Sequence, residues 1–100
     1  MLERKFSEDI IQAVWEKGKI VSGWDPSKRR KDQCGAWIRR VEYGNRDSSF
    51  GWEIDHITPN EDNSLSNLRP LQWRNNIATS DGRLTCPVTA NGDKNEEADE

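Results

Sequence analysis

Trp52-Glu53-Ile54-Asp55-His56-Ile57-Thr58-Pro59, followed by Asn67-Leu68-Arg69-Pro70-Leu71 and then by Asn76, is the stretch whose reading decides the fold. Its first run, Gly51 to Ile57, is β-prone, with apolar residues at Trp52, Ile54 and Ile57, and predicts a strand. Thr58 to Ser66 is polar and broken by Pro59, and predicts a loop. Leu68 to Gln72 can return as a second strand. Trp73 to Ser80 fits a short helix, with Trp73 and Ile77 one turn apart on one face, and Asp81-Gly82 ends it.

The residue types in this stretch carry a chemistry. His56 is the only histidine of the protein, and an imidazole titrates close enough to neutrality to take a proton from water. The Asp55 carboxylate and the Asn76 amide oxygen are hard oxygen donors. Two such ligands, with waters and substrate oxygens completing the sphere, suit Mg²⁺ ahead of Mn²⁺ and do not make a closed zinc site. A base, a hard metal site and a nearby phosphate are what phosphodiester hydrolysis requires. One geometric demand follows. Neighbours on a regular strand face opposite ways, so Asp55 and His56 can serve one phosphate only if the strand ends or twists there.

Taken singly, each residue has a plainer reading: a hydrogen-bonded surface histidine, an Asp capping a turn, an Asn67 closing an Asx turn, a solvated Asn76. The ordered set, flanked by Trp52, Ile57, Pro59, Leu68 and Leu71, is far more specific. It resembles the HNH endonuclease family, in an H-N-N variant, over about Gly51 to Gly82. Upstream, Arg30 to Ile38 and Tyr43-Gly44-Asn45 are similar to a compact branch of that family. The resemblance implies an α+β fold: a small single domain with a ββα-metal core, a hairpin plus a helix, and an N-terminal helix packed on it. It implies His56 as general base, Asp55 and Asn76 as ligands of a single divalent metal, and Asn67 as the residue that ties the loop and holds the base. The implied substrate is DNA. The loop here reads Asn60-Glu61-Asp62-Asn63-Ser64 where the family often carries a Gly-Gly pair; Asn and Asp tolerate left-handed backbone. Arg69 and Arg74, inside the motif, and Arg83, Arg39 and Arg40 outside it, are the candidates for phosphate contacts.

Working outward, Ser7-Glu8-Asp9 reads as a helix start, a capping hydroxyl followed by acids at the positive end of the dipole. Ile10, Ile11, Val14 and Trp15 repeat at helical spacing and Gly18 is a natural stop, so a core-packing helix is expected over about 7–17. Ile20-Val21 reads as a short extended piece and Gly23 to Ser27 as a turn. Lys28-Arg29-Arg30-Lys31, the densest positive patch, reads as a solvated loop or a phosphate contact. Gly35 to Ile38 reads as a short strand or turn.

One hundred residues with five tryptophans allow one small core in which aromatics supply much of the buried area. No run is long or apolar enough for a membrane span, and the N-terminus does not read as a signal peptide, so a cytoplasmic protein is expected. Cys34 and Cys86 offer no Cys-x-x-Cys, hence no structural zinc; two idle or buried thiols are expected, ahead of a disulfide. The net charge of −3 is concentrated in Asp93 to Glu100, which hold five acids and one base. Without them the body is close to neutral, which does not exclude nucleic acid. The expected organisation is a nuclease-like domain over 1–90 and an acidic tail without structure over 91–100. Two other readings stand beside the endonuclease: a non-catalytic nucleic-acid-binding module of the same fold, and a nuclease subunit that needs a protein partner or larger assembly.

Overall fold

The computed structural model describes residues 6–59, 62–80 and 82–97. Expectations for the N-terminal five residues, for Asn60 and Glu61 in the loop, for Asp81 and for the last three residues of the tail lie outside the described residues.

The chain is α+β; the described residues form two α-helices and three antiparallel strand pairs. Helix α1 (Glu8–Trp15) is followed by β1 (Arg29–Lys31) and β2 (Trp37–Arg39), then β3 (Trp52–His56), β4 (Leu68–Gln72), α2 (Trp73–Ala78), β5 (Val88–Asn91) and β6 (Lys94–Glu97). The pairs are β1–β2, β3–β4 and β5–β6, each a separate two-stranded sheet. In the central pair Trp52 faces Gln72, Asp55 faces Arg69 and His56 faces Leu68.

Helix α1 forms where its sequence asks. The Ser7 hydroxyl accepts from the Ile10 N–H at 3.2 Å and two acids fill the first turn, satisfying orphan donors at the positive end of the dipole. Ile11, Val14 and Trp15 are buried against Ile38, Trp52 and Leu68. Trp15 and Trp52 meet with ring centroids 5.4 Å apart, and Tyr43 lies 4.9 Å from Trp52 on its other flank. Aromatic pairs of this kind add about 0.5–1.5 kcal/mol beyond the area they bury.

A lone two-stranded hairpin is marginal in water, so something must join the three. Side-chain amides and one carboxylate do it. Asp32, buried in the β1–β2 turn, accepts the N–H groups of Cys34 and Ala36 on one oxygen. Its other oxygen accepts the Gln72 N–H and the Asn75 Nδ2. Asn75, fully buried on α2, takes the Val88 N–H at 2.8 Å and donates to the Val88 carbonyl at 3.0 Å. Asn95 does the same to Trp37, accepting its N–H at 2.7 Å and donating to its carbonyl at 2.9 Å. Each carboxamide satisfies both backbone groups of one residue, as a neighbouring strand would.

Several expectations are corrected by this arrangement. Residues 91–97, expected to lack structure, form the end of β5, a turn and β6, because Asn95 and the Ala90 N–H bond to Gly35 anchor them without apolar side chains. Cys34 and Cys86, expected as thiols, form a disulfide: the β5–β6 pair stands on the β1–β2 turn and brings the two Cα atoms to 5.3 Å. The basic run is neither loop nor free patch. Arg29 lies among the rings of Trp24, Trp37 and Phe50 at 4.3–4.9 Å, and burial lowers its pKa. Arg30 donates to the carbonyls of Glu16, Gly18 and Pro26, closing the end of α1. Ile20 is exposed; the backbone pairing falls at Lys19, opposite Lys31. On α2 it is Asn75 that faces inward, while Ile77 is exposed. No helix among the described residues is long and apolar enough to cross a membrane.

Candidate functional site

Strand β3 ends at His56, where the sequence required an end. Glu53 and Asp55 face one way and Trp52, Ile54 and His56 the other, as the pleat dictates. Asp55 reaches Arg69 across the pair, Nε to Oδ2 at 2.8 Å. The His56 ring lies 6.4 Å from that of Phe6. Even so, Asp55, His56 and Asn76 all line one cleft of about 370 Å³, with Pro59, Thr79 and Ser80.

The loop after β3 is held by Asn67. Its Oδ1 accepts the Thr58 N–H at 2.9 Å, and its Nδ2 donates to the carbonyls of Thr58 and Asp62. This is a third carboxamide gripping both backbone groups of one residue, here two positions after His56. The backbone between is fixed as well, by the Ile57 N–H bond to the Asn67 carbonyl. Ser64 donates to Asp62 through its hydroxyl and its N–H and holds that carboxyl below its ordinary range.

His56 meets Asn63, its Nε2 2.6 Å from the amide oxygen. An amide oxygen can only accept, so in the neutral ring this contact favours the tautomer that carries its proton on Nε2 and has Nδ1 as acceptor. The sequence reading gave Asn63 no role. It lies in the polar loop after β3, and a polar residue within reach of the strand end is the signal that was there to be read.

Asn76 donates its Nδ2 to Glu53 at 2.8 Å, and Glu53 also accepts from Nε and Nη2 of Arg46, one on each oxygen. This orients the Asn76 amide, whose oxygen accepts no hydrogen bond among the described residues. Glu53 is the second residue to which the sequence gave no role. Its position two before Asp55, on the same face, was the clue.

The donor chemistry fits a hard divalent cation. Asp55 has one oxygen outside its ion pair, and Asn76 has a free amide oxygen in the same cleft. Among the described residues no three His, Cys, Asp or Glu side chains come together to hold a metal, so a cation here would take few protein ligands and keep its waters, as Mg²⁺ does.

The five candidate phosphate-binding arginines divide. Arg69 is buried, bonded to Asp55 and to Gln33. Arg40 is tied to Gln12 and Glu8 of α1. Arg74 pairs with Glu97 of β6 and lies 4.7 Å from the Trp73 ring. Arg39 is exposed with Glu42 3.6 Å away, and Arg83 is exposed. Of the five, Arg83 alone has no side-chain partner among the described residues. Compared with protein-family models, with curated proteins and with solved structures, the chain matches none.

Proposed function

We propose that this protein is a metal-dependent endonuclease of the HNH type, hydrolysing DNA phosphodiester bonds, with β3, β4 and α2 as its ββα-metal core. The observation that carries the proposal is the convergence of Asp55, His56 and Asn76 on one cleft, with Asn67 clamping the backbone just beyond His56.

In this reading His56 takes the proton from the attacking water at Nδ1, while Asn63 holds the ring through Nε2. General-base help of this kind contributes about 10²–10⁴-fold in rate. Asp55 and Asn76 hold a single divalent cation, Mg²⁺ or Mn²⁺, which supplies positive charge to the phosphate and the leaving oxygen. Glu53 keeps the Asn76 amide oxygen turned to the cleft. Arg69 neutralises Asp55 and keeps its carboxylate in place.

Cleavage of supercoiled plasmid with Mg²⁺ or Mn²⁺ tests the proposal. Nicked or linear product, lost in His56→Ala and in EDTA, is expected. Product that persists in His56→Ala, or none with any metal, overturns it. A second reading, a nuclease subunit that acts with a partner, is favoured by the engagement of Arg39, Arg40, Arg69 and Arg74 in internal ion pairs.

A further inference from the structure

A second cleft, of about 400 Å³, opens between the end of α1, the β1–β2 turn and β4. It is lined by Lys17, Lys19, Lys31 and Arg69 over an apolar floor that includes Leu68 and Pro70. Its one carboxylate, Asp32, has both oxygens filled by four N–H donors. Arg69 is paired with Asp55 beside the cleft, and against Asp32 the lining still carries the positive charge of Lys17, Lys19 and Lys31.

Three details mark it as more than a solvated face. Arg69 is more than nine-tenths buried, and its Nη2 is a buried donor with no partner; a buried N–H left unmade costs about 1–3 kcal/mol. Lys17 spends two of its three N–H groups on the Leu65 and Leu68 carbonyls, so its ammonium is fixed beside β4 with one donor left. Lys19 is exposed and its side chain makes no bond among the described residues, whereas Lys31 rests its ammonium 4.9 Å from the Trp37 ring. A fixed cation, a buried unfilled donor and a free lysine in one cleft are complementary to a tetrahedral oxyanion.

We infer that this cleft binds a phosphate of the nucleic-acid backbone, outside the scissile position, through Lys17, Lys19 and Arg69. The inference rests on the nuclease reading for its choice of ligand. Arg69 also bonds Asp55, so the same guanidinium joins the phosphate cleft to the candidate metal ligand.

The test measures binding of a fluorescein-labelled duplex oligonucleotide, in EDTA and in a His56→Ala background, across a salt series. Each phosphate contact contributes about −0.9 to the slope of log K against log salt. Lys19→Ala is expected to flatten that slope by about one and to weaken binding roughly tenfold at 0.1 M salt, and Lys19→Glu by more. Lys28→Ala, outside the cleft, is expected to change neither beyond the general effect of one surface charge. Inorganic phosphate, titrated against the full protein with the Arg69 side-chain and Lys19 amide resonances followed by NMR, is expected to move both. Unchanged DNA affinity and slope in both Lys19 variants overturns the inference. If phosphate moves the resonances while the variants bind DNA normally, the strand is not the ligand and the inference again falls. DNA binding that depends on Lys19 in a protein that cuts nothing upholds the cleft and removes the nuclease reading; cutting that ignores Lys19 does the reverse.

Discussion

Asn75 and Asn76 are neighbours of the same residue type, and the structure gives them opposite tasks. Asn75 has no exposure and makes three hydrogen bonds, two to Val88 and one to Asp32. Asn75→Ala removes all three and leaves the Val88 N–H and carbonyl buried without partners. At about 1–1.5 kcal/mol net per bond, with an added cost for the orphaned donor, the loss is roughly 3–5 kcal/mol. A domain of this size has about 5–15 kcal/mol in all, and each kcal/mol shifts Tm by about 4–8 °C. A fall of roughly 12–40 °C is expected in a thermal melt followed by circular dichroism. The Asn76 side chain makes one hydrogen bond among the described residues, to a Glu53 that keeps its Arg46 partner, so Asn76→Ala is expected to cost about 0.5–1.5 kcal/mol. On the proposed function it abolishes cleavage while the fold survives. Equal Tm shifts for the two variants, or a silent Asn75→Ala, would refute the assignment of structural and site roles.

Three further outcomes are expected. Gly51→Ala places a methyl 1.8 Å from the Asn45 carbonyl oxygen, so the 45–51 turn must move and a loss of several kcal/mol, on the order of 3, is expected in urea titration; wild-type stability would sink the claim. Reducing Cys34–Cys86, or Cys34→Ser with Cys86→Ser, opens a loop spanning 52 residues of separation and is expected to cost about 4 kcal/mol on the chain-entropy account, measured as a shift of the urea midpoint; no shift on adding reductant counts against a structural bridge. Burial raises the Asp32 carboxyl above its ordinary 3.8, against the pull of its four donors. Its contribution to stability is therefore complete below that value and declines as pH rises through the folded value. Asp25 and Asp62, lowered by Ser27 and Ser64, act in the window below 3.8, with stability lost as pH falls. Asp32→Asn is expected to remove the downward slope above 3.8 in a pH series of urea melts, and a slope that stays contradicts this origin.

What the sequence made legible was whatever announces itself by apolar spacing or by capping chemistry. Ser7, Glu8 and Asp9 mark the start of α1, and Ile11, Val14 and Trp15 its buried face. Trp52 and Ile54, then Leu68 and Leu71, mark the central pair. The polar fasteners were not legible. An Asp in a turn reads as solvated, and nothing local separates Asp32 from such a residue; its four donors come from residues up to forty-three positions away. Asn75 and Asn76 look alike, and only the packing of β5 on α2 distinguishes them. Lys94-Asn95-Glu96-Glu97 reads as a charged tail because its order comes from one carboxamide and not from hydrophobic alternation. In the candidate site the principal residues stood out because their order in the chain was informative, whereas Asn63 and Glu53 act by reaching a neighbour in space.

The carboxamide clamps bear on how such a chain stays apart from its copies. Three short two-stranded sheets expose many unpaired edge groups, each a template on which a foreign strand could grow. Here Asn95 occupies both backbone groups of Trp37, Asn75 those of Val88, and Lys17 the carbonyl of Leu68. A side chain fills the edge as a strand would, but has no far side from which a ladder can continue. The same contacts that hold the hairpins together therefore stop them from recruiting new strands, so substitutions at Asn75 or Asn95 carry a risk of aggregation as well as a loss of stability.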